Sequence, residues 1–425
     1  MWNNQNTSIM ALEQTFRDVK KASRQLALMT DEQRNALLGY VAAAISRHSD
    51  LLLEANKRDL ARMDKSNPMY DRLMLTPERL QEITASLRQV ATLPSPLGHT
   101  LKEKTLDNGL HLRRVSVPFG VIGVVYEARP NVTFDVFALC LKSGNACILK
   151  CGRDAIDSCR AAVDLIHDVL HTAGVDSNIV QLLPASHEAT AEMLNAVGYI
   201  DLCIPRGGKH LIDFVRDTAK IPVIETGAGV VHCYFDKAGE LCIGRDIVCN
   251  SKTRRCSVCN SLDCLLIHES RLNDLPSLCE PLALKGVKLH VDTRAMIALH
   301  DNYPTDLLVP INGDDEWNTE WLSMQMSIRT VDSLDEALEH IDTYGSGHSE
   351  SIVTEDKAAA ERFQTMVDAA CIYVNTPTSF TDGAQFGLGA EIGISTQKLS
   401  ARGPMALEEM TTYKWLIEGH GQIRE

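Results

Sequence analysis

Between residues 26 and 53 apolar side chains return every three or four positions, through Leu26, Leu37, Leu38, Val41, Ala42, Ile45 and Leu51, with charged residues between them. That spacing puts them on one face of successive turns and predicts helices over about 8–64. Thr30-Asp-Glu-Gln33 has the residues of a capping box for the second helix. Pro68 interrupts the pattern, and Thr76-Pro-Glu-Arg79 opens another helix to about 92. From 101 to 117 the period falls to two around Asp107-Asn-Gly109, the pattern of a β-hairpin, either an ordinary surface hairpin or an oligomerisation arm.

A different rhythm follows. Residues 119–125 are continuously apolar, as in a strand covered on both faces. Strands expected at 147–150, 179–183, 202–204 and 222–224 then alternate with helices at 132–142, 156–172, 187–196 and 209–219. A second series starts near 237, with helices at 238–250, 270–284, 335–341 and 357–367 and strands at 262–267, 287–291, 320–331, 351–353 and 371–375. This alternation predicts an α/β fold of two doubly wound parallel sheets, with ligands at the carboxyl ends of strands. The expected division is 1–100 with 118–236, then 237–375, with 101–117 and 376–425 as a small β oligomerisation hairpin and C-terminal arm. A strand at 411–416 is expected to pair, like the hairpin, across subunits. Residues 380–394 set Phe380, Phe386, Leu388 and Ile392 among glycines, which suits a loop wrapping a site better than a disordered linker.

Composition removes several function classes. A net charge of −14 argues against a nucleic-acid groove, which needs clustered cations. No apolar run approaches the length of a membrane span, and the start lacks the features of a signal peptide, so a soluble, cytoplasmic protein is expected. Thirteen cysteines, many in core-like segments, read as reduced thiols. Cys256 and Cys259 have the spacing of half a zinc site, but no second pair completes it, and no metal is expected.

Polar residues stand where strands of the first series end: Glu127-Ala-Arg-Pro-Asn131, Lys150-Cys-Gly-Arg153 and Pro205-Arg-Gly-Gly-Lys209. The last opens a helix, whose unpaired N–H groups suit a phosphate. Gly227-Ala-Gly229 is either a fragment of a dinucleotide fingerprint or a plain tight turn. In the second series, Asn250-Ser-Lys-Thr-Arg-Arg-Cys-Ser-Val-Cys259-Asn260 sets a cysteine at the mouth of a strand, behind Lys252, Arg254 and Arg255. Positive charge there favours the thiolate, the nucleophilic form.

Taken together, these stretches resemble the γ-glutamyl phosphate reductase family, a branch of the aldehyde dehydrogenase superfamily. The resembling blocks are Val121-Ile-Gly-Val-Val-Tyr-Glu-Ala-Arg-Pro-Asn-Val132, Leu141-Lys-Ser-Gly-Asn-Ala146, Ile204-Pro-Arg-Gly-Gly208, Asn250-Ser-Lys-Thr with Ser257-Val-Cys-Asn260, Phe380-Thr-Asp-Gly383 with Phe386-Gly-Leu-Gly-Ala-Glu391, and Ser395-Thr-Gln-Lys with Ala401-Arg-Gly-Pro-Met405. The resemblance implies an aldehyde dehydrogenase-like fold, with the first domain binding cofactor and the second catalytic. It implies NADPH-dependent reduction of L-glutamyl 5-phosphate to L-glutamate 5-semialdehyde in proline biosynthesis. Cys259 would be the nucleophile and Asn131 an oxyanion donor; Lys150, Arg206, Gly207, Gly208 and Glu320 would hold NADP(H). It also implies a homo-oligomer and raises association with glutamate 5-kinase, the source of a labile substrate.

Three positions depart from the family's pattern. Cys256 replaces a proline, which is neutral or allows a reversible Cys256–Cys259 disulfide. Ser379 stands where an arginine is usual, leaving Arg129, His348 and Arg402 for the substrate's anionic groups. Glu225 lies near the spacing at which hydrolytic relatives place a water-activating glutamate, and is either a structural residue or a base for a thioester-hydrolysing side activity. Two rival readings are oxidation of a small aldehyde and a non-catalytic protein on the same fold. Glu225→Gln separates the two roles of that residue: assayed for reductase and aldehyde-oxidising activity, a structural Glu225 leaves both unchanged, whereas a base loses the second.

Overall fold

A computed structural model of the chain describes residues 2–67, 69–399 and 401–424; Pro68, expected to break a helix, lies outside them. The amino-terminal helices are Trp2–Leu26, Asp31–Arg47, Ser49–Leu60 and Pro77–Thr92, with a short turn at Tyr70–Leu73. The capping box forms as expected: Thr30 Oγ1 accepts from the Gln33 amide at 3.3 Å, and Gln33 Oε1 accepts from the Thr30 amide at 2.9 Å. Leu37, Leu38, Val41, Ala42 and Ile45 are all buried, which is what their spacing required. Asp59, also buried, accepts from the amides of Asp157 at 3.1 Å and Ser158 at 2.7 Å, and so satisfies otherwise unpaired donors at the start of helix Ile156–Thr172.

The chain forms two compact units. The first comprises Met1–Thr226, Gly387–Gly393 and Met405–Glu425. Its four-stranded parallel sheet runs in the order Val180–Leu182, Ala146–Cys151, Val121–Tyr126, Leu202–Arg206. Every residue of Val121–Tyr126 and Ala146–Cys151 is buried, hence their unbroken apolar character. The strand expected at 222–224 reduces to a single bridge between Cys203 and Val223. A second, antiparallel sheet joins Thr100–Thr105, His111–Pro118 and Thr411–Glu418. Within the chain the hairpin and the C-terminal strand pair with each other, from Thr411 opposite Pro118 to Glu418 opposite His111. Asn145 ties that strand's base to the parallel sheet, because its Nδ2 donates to the Met410 carbonyl at 2.8 Å and its Oδ1 accepts from the Gly120 amide at 2.9 Å.

The second unit comprises Gly227–Phe386 and Ile394–Pro404. Seven parallel strands run in the order Leu308–Pro310, Lys288–Val291, Gln325–Val331, Cys264–His268, His232–Phe235, Ser349–Val353, Cys371–Val374. Strand His232–Phe235 was not expected from the sequence pattern, and it explains why the units divide at 226/227 and not near 236. Its four residues are buried between Cys264–His268 and Ser349–Val353, and so belong to the sheet of the second unit. All thirteen cysteines are thiols. Burial pushes those of Cys203 and Cys233 up to about 12, which leaves them inert core residues. Among the described residues no helix is long and apolar enough to cross a membrane.

Asn145→Ala removes the Met410 anchor and strands the Gly120 amide. The expected loss is about 2 kcal/mol for the unit that contains it, read by urea titration, with proteolysis starting in the Thr411–Glu418 strand.

Candidate active site

Cys259 lies in the second unit, in the loop between helix Leu241–Thr253 and strand Cys264–His268, and is half-buried where nine of the other cysteines are buried. Asn260 pins this loop. Its Nδ2 donates to the carbonyls of Thr381 at 2.8 Å and Ser379 at 3.4 Å, and its own carbonyl accepts from Thr378 Oγ1 at 3.0 Å. Ser379 Oγ in turn donates to Asn250 Oδ1 at 2.9 Å, so Ser379 joins the clamp around the cysteine loop.

Gly229 sets the other side of the loop. A Cβ at this residue would overlap the Cys259 carbonyl and press on its Cα, so only glycine permits the approach. The Gly229 amide donates to Glu320 Oε1 at 3.0 Å, which brings the expected cofactor residue to the cysteine loop. Asp263 braces both partners: it accepts from the Trp321 amide at 3.0 Å and from the Val231 amide at 3.4 Å. Burial pushes Asp263 up to about 7 and lowers Lys252, whose Nζ lies 3.7 Å away with its side chain fully enclosed. Leu322, two residues beyond Glu320, has φ of 47°, a left-handed conformation costly for a branched side chain and typical of strain held at working sites. Gly229, Cys259 and Glu320 all precede neighbouring strands, so they gather at the amino edge of the sheet and not at the carboxyl edge expected.

In the first unit the residues follow the carboxyl edge. Asn131 opens helix Asn131–Lys142 after strand Val121–Tyr126, and its Nδ2 donates to Asp135 Oδ2 at 3.0 Å. Arg206 ends the neighbouring strand and lies against the Gly393 backbone, where a Cβ would stand 2.5 Å from its Nη1. Gly207 leaves room for Glu127, since a Cβ there would be 2.8 Å from Glu127 Oε2. The same oxygen accepts from the Gly208 amide at 3.1 Å, at the start of helix Lys209–Thr218. A carboxylate thus already uses this helix end as an anion receptor. Lys150 is buried, donates to the Cys151 carbonyl at 3.0 Å, and has its pKa lowered by that burial.

Asp135 was not singled out from the sequence, and Glu127 was named only within its strand-end run. Asp135 had a signal, being the one acidic residue in the largely apolar helix NVTFDVFALCLK, four positions from Asn131. The residues expected at the substrate are divided between the two units. Arg129 is half-buried beyond strand Val121–Tyr126 in the first unit, while Arg402 lies in the second and donates to Asp368 at 2.7 Å. His348 needs correction: it is fully buried, bonds Ser349 Oγ at 2.8 Å, and burial drops its pKa to about 4. It is therefore neutral near pH 7 and offers no cation to an anionic group. Glu225 lies 3.6 Å from the Arg216 guanidinium, a salt bridge that gives it a structural partner.

His232, Cys264 and His340 bring ligand-type atoms within 4.8 Å of one another, all buried. Arg329 Nη1 stands 2.8 Å from His340 Nδ1, and a guanidinium can only donate. Burial holds the His340 pKa near about 2, so the neutral ring keeps its hydrogen on Nε2, which faces Cys264 Sγ at 3.8 Å. A protonated nitrogen is no metal ligand, and the cluster in this arrangement is a hydrogen-bonded one.

The sequence model of the aldehyde dehydrogenase family matches residues 308–416. A γ-glutamyl phosphate reductase from Bacteroides thetaiotaomicron is 59% identical over 413 residues, covering 97% of this chain and 99% of that protein. The crystal structure of γ-glutamyl phosphate reductase from Thermotoga maritima superposes with a TM-score of 0.93 at 38% identity, covering 97% of this chain and all of that one. An acetylating aldehyde dehydrogenase from Geobacillus thermoglucosidasius shares the fold, with a TM-score of 0.68 at 16% identity over 99% of this chain and 98% of that one.

Gly229→Ala forces the Cys259 loop to shift, and misplacement on the ångström scale is expected to lower turnover roughly 100-fold while circular dichroism stays unchanged. Gly39→Ala, in a helix with nothing within 4 Å of the new methyl, is the neutral control. Wild-type turnover in Gly229→Ala would show that the close approach is dispensable.

Proposed function

The chain belongs to the γ-glutamyl phosphate reductase family of aldehyde dehydrogenase-like enzymes, and from that premise we propose that Cys259 carries the reduction of L-glutamyl 5-phosphate to L-glutamate 5-semialdehyde, the second step of proline biosynthesis. The observation that carries this reading is a half-buried cysteine whose loop is clamped by Asn260 and seated on Gly229 beside Glu320. The Cys259 thiolate attacks the acyl carbon, phosphate leaves, and a thioester remains on the protein. A bound nicotinamide cofactor supplies the hydride. Cys259 then holds the thiohemiacetal until the C–S bond breaks, the aldehyde leaves and the sulfur returns as thiolate.

Each tetrahedral stage carries an oxyanion. The Asn131 side-chain amide and the Cys259 backbone N–H are its donors in this reading, single donors of this kind being worth about 3–4 kcal/mol. NADP(H) is the cofactor proposed, held by Lys150, Arg206, Gly207, Gly208 and Glu320; the carboxylate on the Gly208 amide supports an anion at that turn. Arg129 and Arg402 are the cations left for the phosphate and the α-carboxylate once His348 is neutral.

Assembly and location belong to the same reading. A homo-oligomer is supported by strand Thr100–Thr105, exposed along its length, and by exposed Tyr413, Trp415 and Ile417 on strand Thr411–Glu418. The enzyme is proposed to work in the cytoplasm, with glutamate 5-kinase as a candidate partner because acyl phosphates hydrolyse readily.

The reverse assay tests the proposal. Glutamate 5-semialdehyde should reduce NADP only when phosphate is present, and Cys259→Ala should abolish the signal. Phosphate-independent reduction would point to aldehyde oxidation instead, and no selective iodoacetamide labelling of Cys259 would point to a non-catalytic protein.

A further inference from the structure

Helix Asn131–Lys142 buries apolar residues on nearly every side, yet places an aspartate one turn beyond Asn131. Residues four apart share a helix face, and here they touch: Asn131 Nδ2 donates to Asp135 Oδ2 at 3.0 Å. A primary amide presents either its NH₂ or its oxygen to a neighbour, and the neighbour's chemistry decides which. An ionised carboxylate only accepts, so it selects the nitrogen, and the second N–H is left for another acceptor. A protonated carboxyl can also donate to Asn131 Oδ1, and the selection is lost.

We propose that Asp135 is a positioning residue for the reaction: as a carboxylate it fixes the orientation in which the Asn131 amide can donate to the oxyanion. The inference rests on the oxyanion reading of Asn131. Burial pushes Asp135 up to about 6, against the opposing pull of the Asn131 hydrogen bond and the Arg206 guanidinium. Arg206 is the charged group that opposes the rise, and Glu127, Arg129 and Lys150 stand on the adjoining strand ends. Activity should therefore rise with pH through about 6 as the carboxylate ionises. Stability runs the other way. A folded pKa raised above the ordinary 3.8 contributes stability that is complete below that value and lost as pH rises through about 6. A residue that served packing alone would not give these opposite slopes.

The test compares wild type, Asp135→Asn, Asp135→Glu, Asn131→Ala and the double variant Asn131→Ala/Asp135→Asn in the reverse assay between pH 5 and 8. In Asp135→Asn, kcat is expected to fall roughly tenfold with both KM values within about twofold, since one oriented donor is at stake. Its acid limb near pH 6 should vanish and its melting temperature at neutral pH should not fall, whereas Asp135→Glu should restore part of the rate together with the limb. In the Asn131→Ala background, Asp135→Asn should add little. Wild-type kcat with an intact acid limb in Asp135→Asn overturns the proposal, and so does an equal loss in both backgrounds. Wild-type kcat in Asn131→Ala overturns instead the oxyanion reading beneath it.

Discussion

The Cys259 carbonyl occupies the space in which a side chain at residue 229 would begin. That exclusion organises the loop edge of the second unit. Because Gly229 has no Cβ, its backbone reaches the cysteine loop and still presents its N–H to Glu320, so one residue joins the nucleophile's loop to the carboxylate proposed for the cofactor ribose. Asp263 repeats the linkage one layer back, taking the amides of Trp321 and Val231. The loop itself contains no regular structure, and its geometry is held by bonds to other segments, foremost the Asn260 clamp on Thr381.

The two units use opposite edges of their sheets. In the first, Glu127, Asn131, Arg206 and Gly208 follow the ends of parallel strands, where backbone amides at helix starts gather and attract anions. In the second, Cys259, Gly229 and Glu320 come before their strands, and positive helix ends are not what serves them. There the amides of Gly229 and Trp321 are already committed to carboxylates, so what the edge offers is a rigid frame for one sulfur atom. The proposed function asks for such a division, with cofactor phosphates at one sheet and covalent chemistry at the other.

Buried and half-buried charges recur around these frames. Lys252 and Asp263 sit together where burial works against both ionised forms, and Asp135 is pushed toward neutrality beside the Asn131 amide. Such groups cost stability, and a packing role would be served by apolar residues of similar size. Their positions, against the Cys259 loop and beside the proposed oxyanion donor, tie that cost to the proposed chemistry.

Local pattern carried the elements. The helical spacing of Leu37, Val41 and Ile45, the Thr30 capping box, the hairpin around Gly109 and the unbroken strand at 121–126 are all consequences of period and burial, which are written in consecutive residues. The blocks around Asn131, Arg206 and Cys259 were legible for the same reason, as short runs of specific residues. The strand at 232–235 was missed because a four-residue apolar run carries no period, and only its two neighbours in the sheet make it a strand. His348 looked like a cation and is a buried neutral ring, while Ser379 looked like a lost arginine and is a bond in the Asn260 clamp. Residue types fixed which chemistry was possible. Burial and hydrogen bonds between residues such as 229 and 320, or 260 and 381, decided how those residues are held and which of them keep a charge, because solvent exclusion and bond geometry belong to the folded neighbourhood and to no single stretch of chain.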